Sequence, residues 1–217
     1  MAVIHHTTLK PTKLELLTDW LPTRPWYRGS GAPVLEKSGG FRLDDPEGEV
    51  GMEFMVATDT STAEPTAYFA PLTYRGAPLD GAEHALVGTM EHGVLGKRWV
   101  YDGCHDPVLV TELLRLLGGT AQPMAQSVSD TPDPEVVVSF TGAPFTPAPF
   151  TPEPADGPEG TRLPTPHGIA LHVHRVPHPV AGRPPLPAEG AAGHVARGWT
   201  APDGTEAAAV LITVHTG

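Results

Sequence analysis

Between residues 51 and 101 the chain alternates short strand-forming runs with turn residues, and no other feature constrains its fold as much. Residues 51–58 (Gly-Met-Glu-Phe-Met-Val-Ala-Thr), 66–74, 85–90 and 97–101 each have the length and the β-branched or aromatic content of a strand. Arg75-Gly76-Ala77-Pro78 separates the second run from the third, and Glu91-His92-Gly93 joins the last two. Runs of this length, punctuated this way, predict an antiparallel meander. Pro71 has no N–H to give to a ladder, which predicts an edge or a bulge for its strand.

Two helices flank this stretch. Thr12-Lys13-Leu14-Glu15 is a capping box: the Thr12 hydroxyl accepts from the Glu15 N–H, and the Glu15 carboxylate reaches back to the Thr12 N–H. Leu14, Leu17 and Leu21 form a short apolar stripe beside Trp20, and Pro22 ends the helix. The second helix is sharper. Asp106 is a good N-cap and Pro107 sits where its missing N–H costs nothing. Val110, Leu113, Leu114 and Leu117 recur at helical spacing, and Gly118-Gly119 stops the helix. Residues 3–9 read as an opening strand. The fold class expected is α+β, an antiparallel sheet meander packed against one or two short helices.

After Gly119 the character changes. Proline becomes dense from Pro123 onward, and the last lysine is Lys97. Residues 121–133 read as a linker and 135–140 as a strand. Residues 141–166 read as a proline-rich loop, 169–176 as a strand, and 180–190 as irregular. Residues 193–200 and 207–215 flank Ala201-Pro202-Asp203-Gly204, a turn signal that makes them a hairpin. The expected division is a first domain over 1–120 and a strand-rich, proline-rich C-terminal extension over 121–217. Its strands are too few for an independent core, so it is expected to pack on the first sheet or continue it.

The totals exclude whole classes of function. With net charge -11 and pI near 5.3, the chain lacks the surplus lysine and arginine that phosphate backbones and anionic lipids require. Neither nucleic acid nor membrane is an expected partner. Cys104 is the one cysteine, so neither an intrachain disulfide nor a cysteine zinc site can form. The first residues carry no basic segment followed by an apolar one, and the expected location is cytoplasmic.

Several residues are candidates for chemistry. Glu91, His92 and Asp102 fall at the ends of neighbouring predicted strands, where a carboxylate beside a histidine can work as an acid–base pair or simply cap a turn. His172 and His174, two apart on a predicted strand, share a face and are candidate metal ligands, with His194 or His215 as a further ligand. The simpler reading is a polar strand surface, and no cofactor is expected. Cys104 precedes a helix N-terminus, where a thiol can be activated. Asp44-Asp45-Pro46-Glu47-Gly48-Glu49 lacks the alternation of an EF-hand loop and reads as a solvated turn. No phosphate-binding glycine loop, dinucleotide fingerprint or nucleophile elbow is present.

Two segments carry a resemblance. The first is Asp19-Trp20-Leu21-Pro22-Thr23-Arg24-Pro25-Trp26-Tyr27-Arg28-Gly29. The second runs from Gly96-Lys97-Arg98-Trp99-Val100-Tyr101-Asp102 through Asp106-Pro107 to Leu113-Leu114 and Leu117, with Tyr68, Pro71, Leu72, Tyr74 and Arg75 between the two. In order and spacing they resemble the N-terminal cap domain of maltokinases, over about residues 10–119. Pro25 departs from the pattern, because the family usually places its Arg-Trp-Tyr residues next to one another. The resemblance implies a cap fold for 1–120 and a link to α-glucan, maltose or trehalose metabolism. In maltokinases two kinase lobes follow the cap, and no position after Gly119 here matches a kinase residue, so the chain is expected to stand alone.

The expected function is a non-catalytic accessory or regulatory protein whose partner belongs to α-glucan or trehalose metabolism, with a homo-oligomer left open. The alternatives are a small-molecule or carbohydrate binder using Trp26, Tyr27, Arg24 and Arg28, and a small enzyme of unrecognised type.

Overall fold

The computed structural model describes residues 8–142, 149–181 and 190–216. Among the described residues strands far outnumber helices, so the architecture is mostly antiparallel β with a few short helices. The first sheet contains β1 (Leu9–Lys10), β2 (Leu35–Asp44), β3 (Gly51–Asp59), β4 (Thr66–Arg75), β5 (Leu86–His92), β6 (Gly96–Asp102) and β7 (Met124–Ala125). Their order is β1-β5-β6-β4-β3-β2-β7. The opening strand read over residues 3–9 falls largely outside the described residues, and β1 occupies its far end.

The order corrects the expected meander. Strands β2, β3 and β4 are sequential neighbours, but the connection after Arg75 carries the chain past one strand position, and β6 returns to fill it. It also corrects the reading of Pro71. Strand β4 is central, pairing β3 along residues 66–74, while β6 pairs only with residues 72–75. Pro71 lies just where β6 has ended, so its missing N–H breaks no ladder on that side. Further along the same side, the Phe69 N–H donates to the Arg175 carbonyl at 2.9 Å.

Strand β2 is a ten-residue element at a stretch the sequence leaves unmarked. Its irregularity is the reason: the register shifts between Lys37 and Gly39. Gly40 has φ 141°, and a Cβ there would lie 2.4 Å from the Phe54 carbonyl oxygen. At Gly39 a Cβ would meet Arg197 and Trp199 at 2.8 Å, so this glycine lets β2 approach the second sheet closely.

The second sheet contains β8 (Val136–Phe140), β9 (Ala155–Gly157), β10 (Gly160–Thr165), β11 (Ile169–Val173), β12 (Val180–Ala181), β13 (Gly193–Thr200) and β14 (Glu206–Thr216). The order is β8-β13-β14-β11-β10-β9, with β12 pairing β14. The hairpin β13–β14 forms as read. The proline-rich stretch 141–166 is not all loop: β9 and β10 occupy its end. Pro164 is tolerated because β9 pairs only with residues 160–162, leaving the other side of Pro164 outside that ladder. Residues 143–148 of that stretch, and 182–189 of the irregular one, lie outside the described residues.

Helix α1 (Lys13–Trp20) starts at the capping box, with both hydrogen bonds formed. Helix α2 (Pro107–Leu117) starts at Asp106, whose side chain accepts from the Val108 N–H. The two faces of the first sheet feed two cores. On one, Leu16, Leu17, Trp20, Leu21 and Trp26 pack on Met55, Tyr68, Ala70 and Leu72. On the other, Phe41, Phe54, Val56 and Phe69 share one buried cluster with Leu109, Val110 and Leu113 of α2 and with Leu171, Val195, Ile212 and Val214 of the second sheet. Among the described residues no helix is long and apolar enough to cross a membrane.

Candidate functional site

A buried polar cluster sits where the segment 20–29, the end of β6 and the second sheet converge. Its centre is Arg175, two residues past β11. Along Ile169, Leu171 and Val173 the odd positions face the core, and Arg175 continues that parity inward, fully buried. Its Nη2 donates to both Asp102 oxygens, at 2.8 and 2.6 Å, and lies 3.3 Å from Cys104 Sγ. Its Nε donates to Thr161 Oγ1 at 2.7 Å, and the Thr161 hydroxyl donates to Asp156. The guanidinium lies over the Trp26 ring, 5.3 Å from its centroid. Among the described residues, Arg175 Nη1 and Trp26 Nε1 are both buried without a hydrogen-bond partner.

Electrostatics hold Arg175 and Cys104 in their protonated forms. Burial opposes the Arg175 charge, and the facing Asp102 and its hydrogen bonds outweigh it, so the guanidinium holds its proton more tightly than usual. Burial pushes the Cys104 thiol far up, with the Arg175 charge pulling the other way, and the helix that follows does not activate it. The neighbouring His105 is pushed down by burial, and its Nδ1 lies 3.1 Å from His84 Nε2.

The aromatic segment is mostly internal. Trp26 has no exposed surface, and Trp20 meets it edge-on at 5.6 Å. Tyr27 stacks on Tyr68 at 5.6 Å and donates its hydroxyl to the Gly31 carbonyl; the Tyr68 hydroxyl accepts from the Arg28 N–H. The rim arginines face acidic partners. Arg24 covers the Trp20 ring and comes within 4.0 Å of Asp156, while Arg28 lies 3.7 Å from Glu159 and donates to the Pro158 carbonyl.

The other candidates lie elsewhere. Hairpin register sets His92 opposite Gly96 and Glu91 opposite Lys97, at the turn end of β6, whereas Asp102 closes its other end. Six residues of strand put these groups about 20 Å apart, so Glu91, His92 and Asp102 do not share a site. The His92 ring instead accepts from the Val94 and Leu95 N–H groups. His172 and His174 do meet, at 4.6 Å between ring centroids. One nitrogen of each is engaged, however, His172 Nε2 with the Glu159 carbonyl and His174 Nε2 with Thr213 Oγ1 at 2.7 Å. His194 pairs across from Thr213 on the neighbouring strand. Among the described residues no group of three or more His, Cys, Asp or Glu is arranged to hold a metal. In the acidic turn, Asp45 accepts from the Glu47, Glu49 and Val50 N–H groups.

Two more residues of the quoted segments are structural. Asp106 is fully buried, caps α2, and takes both hydrogen bonds of Arg75 at 2.7 Å. The Tyr101 hydroxyl accepts from the Leu79 N–H. No motif marks Arg175 or Thr161 in the sequence. The signal was present for Arg175, as a charge on the inward parity of an aliphatic strand.

The family model of the maltokinase N-terminal cap domain matches residues 20–106, which begin at Trp20 and end at Asp106. Over that segment the chain is similar to a maltokinase cap domain. Among curated proteins none matches the chain.

Proposed function

We propose that this protein is a non-catalytic, cap-like accessory or regulatory protein of α-glucan, maltose or trehalose metabolism, and that it works through a protein partner. The cap-like segment supports the metabolic link. One observation supports the non-catalytic reading: Asp102 and Trp26, one a candidate for chemistry and one for sugar stacking, are both built into the joint around Arg175. A buried carboxylate with both oxygens held by an arginine has no open face for a substrate, and a fully buried indole has none for a sugar ring. The test is calorimetric titration with maltose, maltose 1-phosphate, trehalose and glycogen, alongside titration with maltokinase and trehalose synthase from the same organism. Silence with the sugars and saturable heat with one of the enzymes is expected. Saturable heat with a sugar alone would move the assignment to carbohydrate binding.

A further inference from the structure

Two histidines that the proposed function does not use face each other nitrogen to nitrogen. His84 lies in the short turn Glu83–Ala85 and His105 in the short turn Gly103–His105, 21 positions away. His84 Nε2 is 3.1 Å from His105 Nδ1, and the ring planes cross at 80° with centroids 4.7 Å apart. Both turns are anchored from beneath. Ala85 is buried against Tyr101, and the Leu86 N–H closes its turn on the Glu83 carbonyl. Cys104 is buried, its N–H donates to Asp102, and the Asp106 N–H closes the second turn on the Gly103 carbonyl. The rings are therefore held at this spacing by fixed backbone, with His84 exposed and His105 half-buried.

The spacing suits a shared metal ion. Metal–nitrogen bonds of about 2.0–2.1 Å put two imidazole nitrogens about 2.9 Å apart at a right angle and about 3.4 Å apart at a tetrahedral one. The observed 3.1 Å lies between them. Among the described residues neither His84 Nδ1 nor His105 Nε2 has a hydrogen-bond partner, so each can carry its ring's proton and leave a lone pair on the facing nitrogen. Burial favours the neutral form of His105, the form that ligates. Asp102 and Asp156 lie close enough to attract a cation there, while Arg175 opposes them. The pair His172–His174 lacks this arrangement, because Nε2 of each ring is bonded to another group.

We propose that His84 and His105 form a two-imidazole site for a borderline divalent transition metal, Cu2+ most tightly and Ni2+ and Zn2+ below it, with water in the remaining positions. Mg2+ and Ca2+ take oxygen ligands and are not expected to bind there. Two protein ligands make an exchangeable site, and a bound ion ties the turn before β5 to the turn before α2. The site is independent of any metabolic partner.

Calorimetric titration of the chelator-treated chain with Cu2+, Ni2+, Zn2+ and Mg2+ chlorides tests it. Saturable binding of one Cu2+ is expected, weakened at least about tenfold by His84→Ala and by His105→Ala. His172→Ala, and the joint variant His5→Ala with His6→Ala, are expected to keep that affinity. His84 is exposed, so His84→Ala is expected to leave the circular dichroism spectrum unchanged. Electron paramagnetic resonance of the Cu2+ form is expected to show nitrogen ligation that His84→Ala reduces. Absence of saturable Cu2+ binding overturns the proposal, as does binding that either His84→Ala or His105→Ala leaves intact.

Discussion

Arg175 and Asp102 lie 73 positions apart in sequence and meet in a fully buried ion pair, with one guanidinium nitrogen bonded to both carboxylate oxygens. The pair joins the cap-like segment to the second sheet. Removing one partner strands a buried charge. Arg175→Met is therefore expected to cost about 3–5 kcal/mol of stability, and Asp102→Leu a similar amount. The double variant leaves no orphaned charge and is expected to be more stable than either single. Urea denaturation of the three variants checks this. Additive losses would show that the ion pair does not couple the two segments.

Trp26 packs between Trp20, Tyr68 and the Arg175 guanidinium. Trp26→Ala opens a cavity there and is expected to cost about 3–5 kcal/mol. Trp26→Phe keeps most of the packing and is expected to cost clearly less. Thermal unfolding measures both.

His174 fixes a direction of pH dependence. Burial, with His172, His178 and His215 adding to it, pushes its pKa down to about 4. In the unfolded chain it titrates near its ordinary value, about 6.5. Between these values the unfolded chain binds a proton that the folded chain refuses, so stability is full above about pH 6.5 and falls as pH drops toward 4. Allowing for the partly exposed ring, the loss is about 1–2 kcal/mol. His174→Gln keeps a partner for Thr213 and does not titrate, and it is expected to flatten the slope in that window. Denaturation midpoints at a series of pH values read it directly.

Cys104 is buried, free, and held as a thiol. Thiol reagents are expected to label it only as fast as the protein opens, with full reaction in denaturant. Fast labelling of the native chain would contradict its place beside Arg175.

Local chemistry was legible where it was complete within a few residues. The capping box at Thr12 and Glu15, and the helix between Asp106 and Gly118, follow from side chains that satisfy their own backbone. What the sequence obscured depends on distant neighbours. Strand β2 hides behind Gly39-Gly40, whose purpose is visible only once Trp199 and Phe54 are seen against them. Strands β9 and β10 hide among prolines that cost nothing because of which neighbours end where. The candidate site was half visible. Trp26 and Asp102 were marked as functional, while Arg175, which gives both their setting, carries no motif. Glu91 and His92 sit at the turn end of the β5–β6 hairpin and Asp102 at the opposite end of β6, a separation that sequence proximity hides.

The central claim is that the chain acts on a partner and catalyses nothing itself. The most direct measurement mixes the purified chain with maltokinase and with trehalose synthase, following complex formation by native mass spectrometry and turnover of maltose, trehalose, maltose 1-phosphate and glycogen. A defined complex with one enzyme and a change in that enzyme's rate, with no turnover by the chain alone, is expected. Turnover by the chain alone, or no complex with either enzyme, would contradict it.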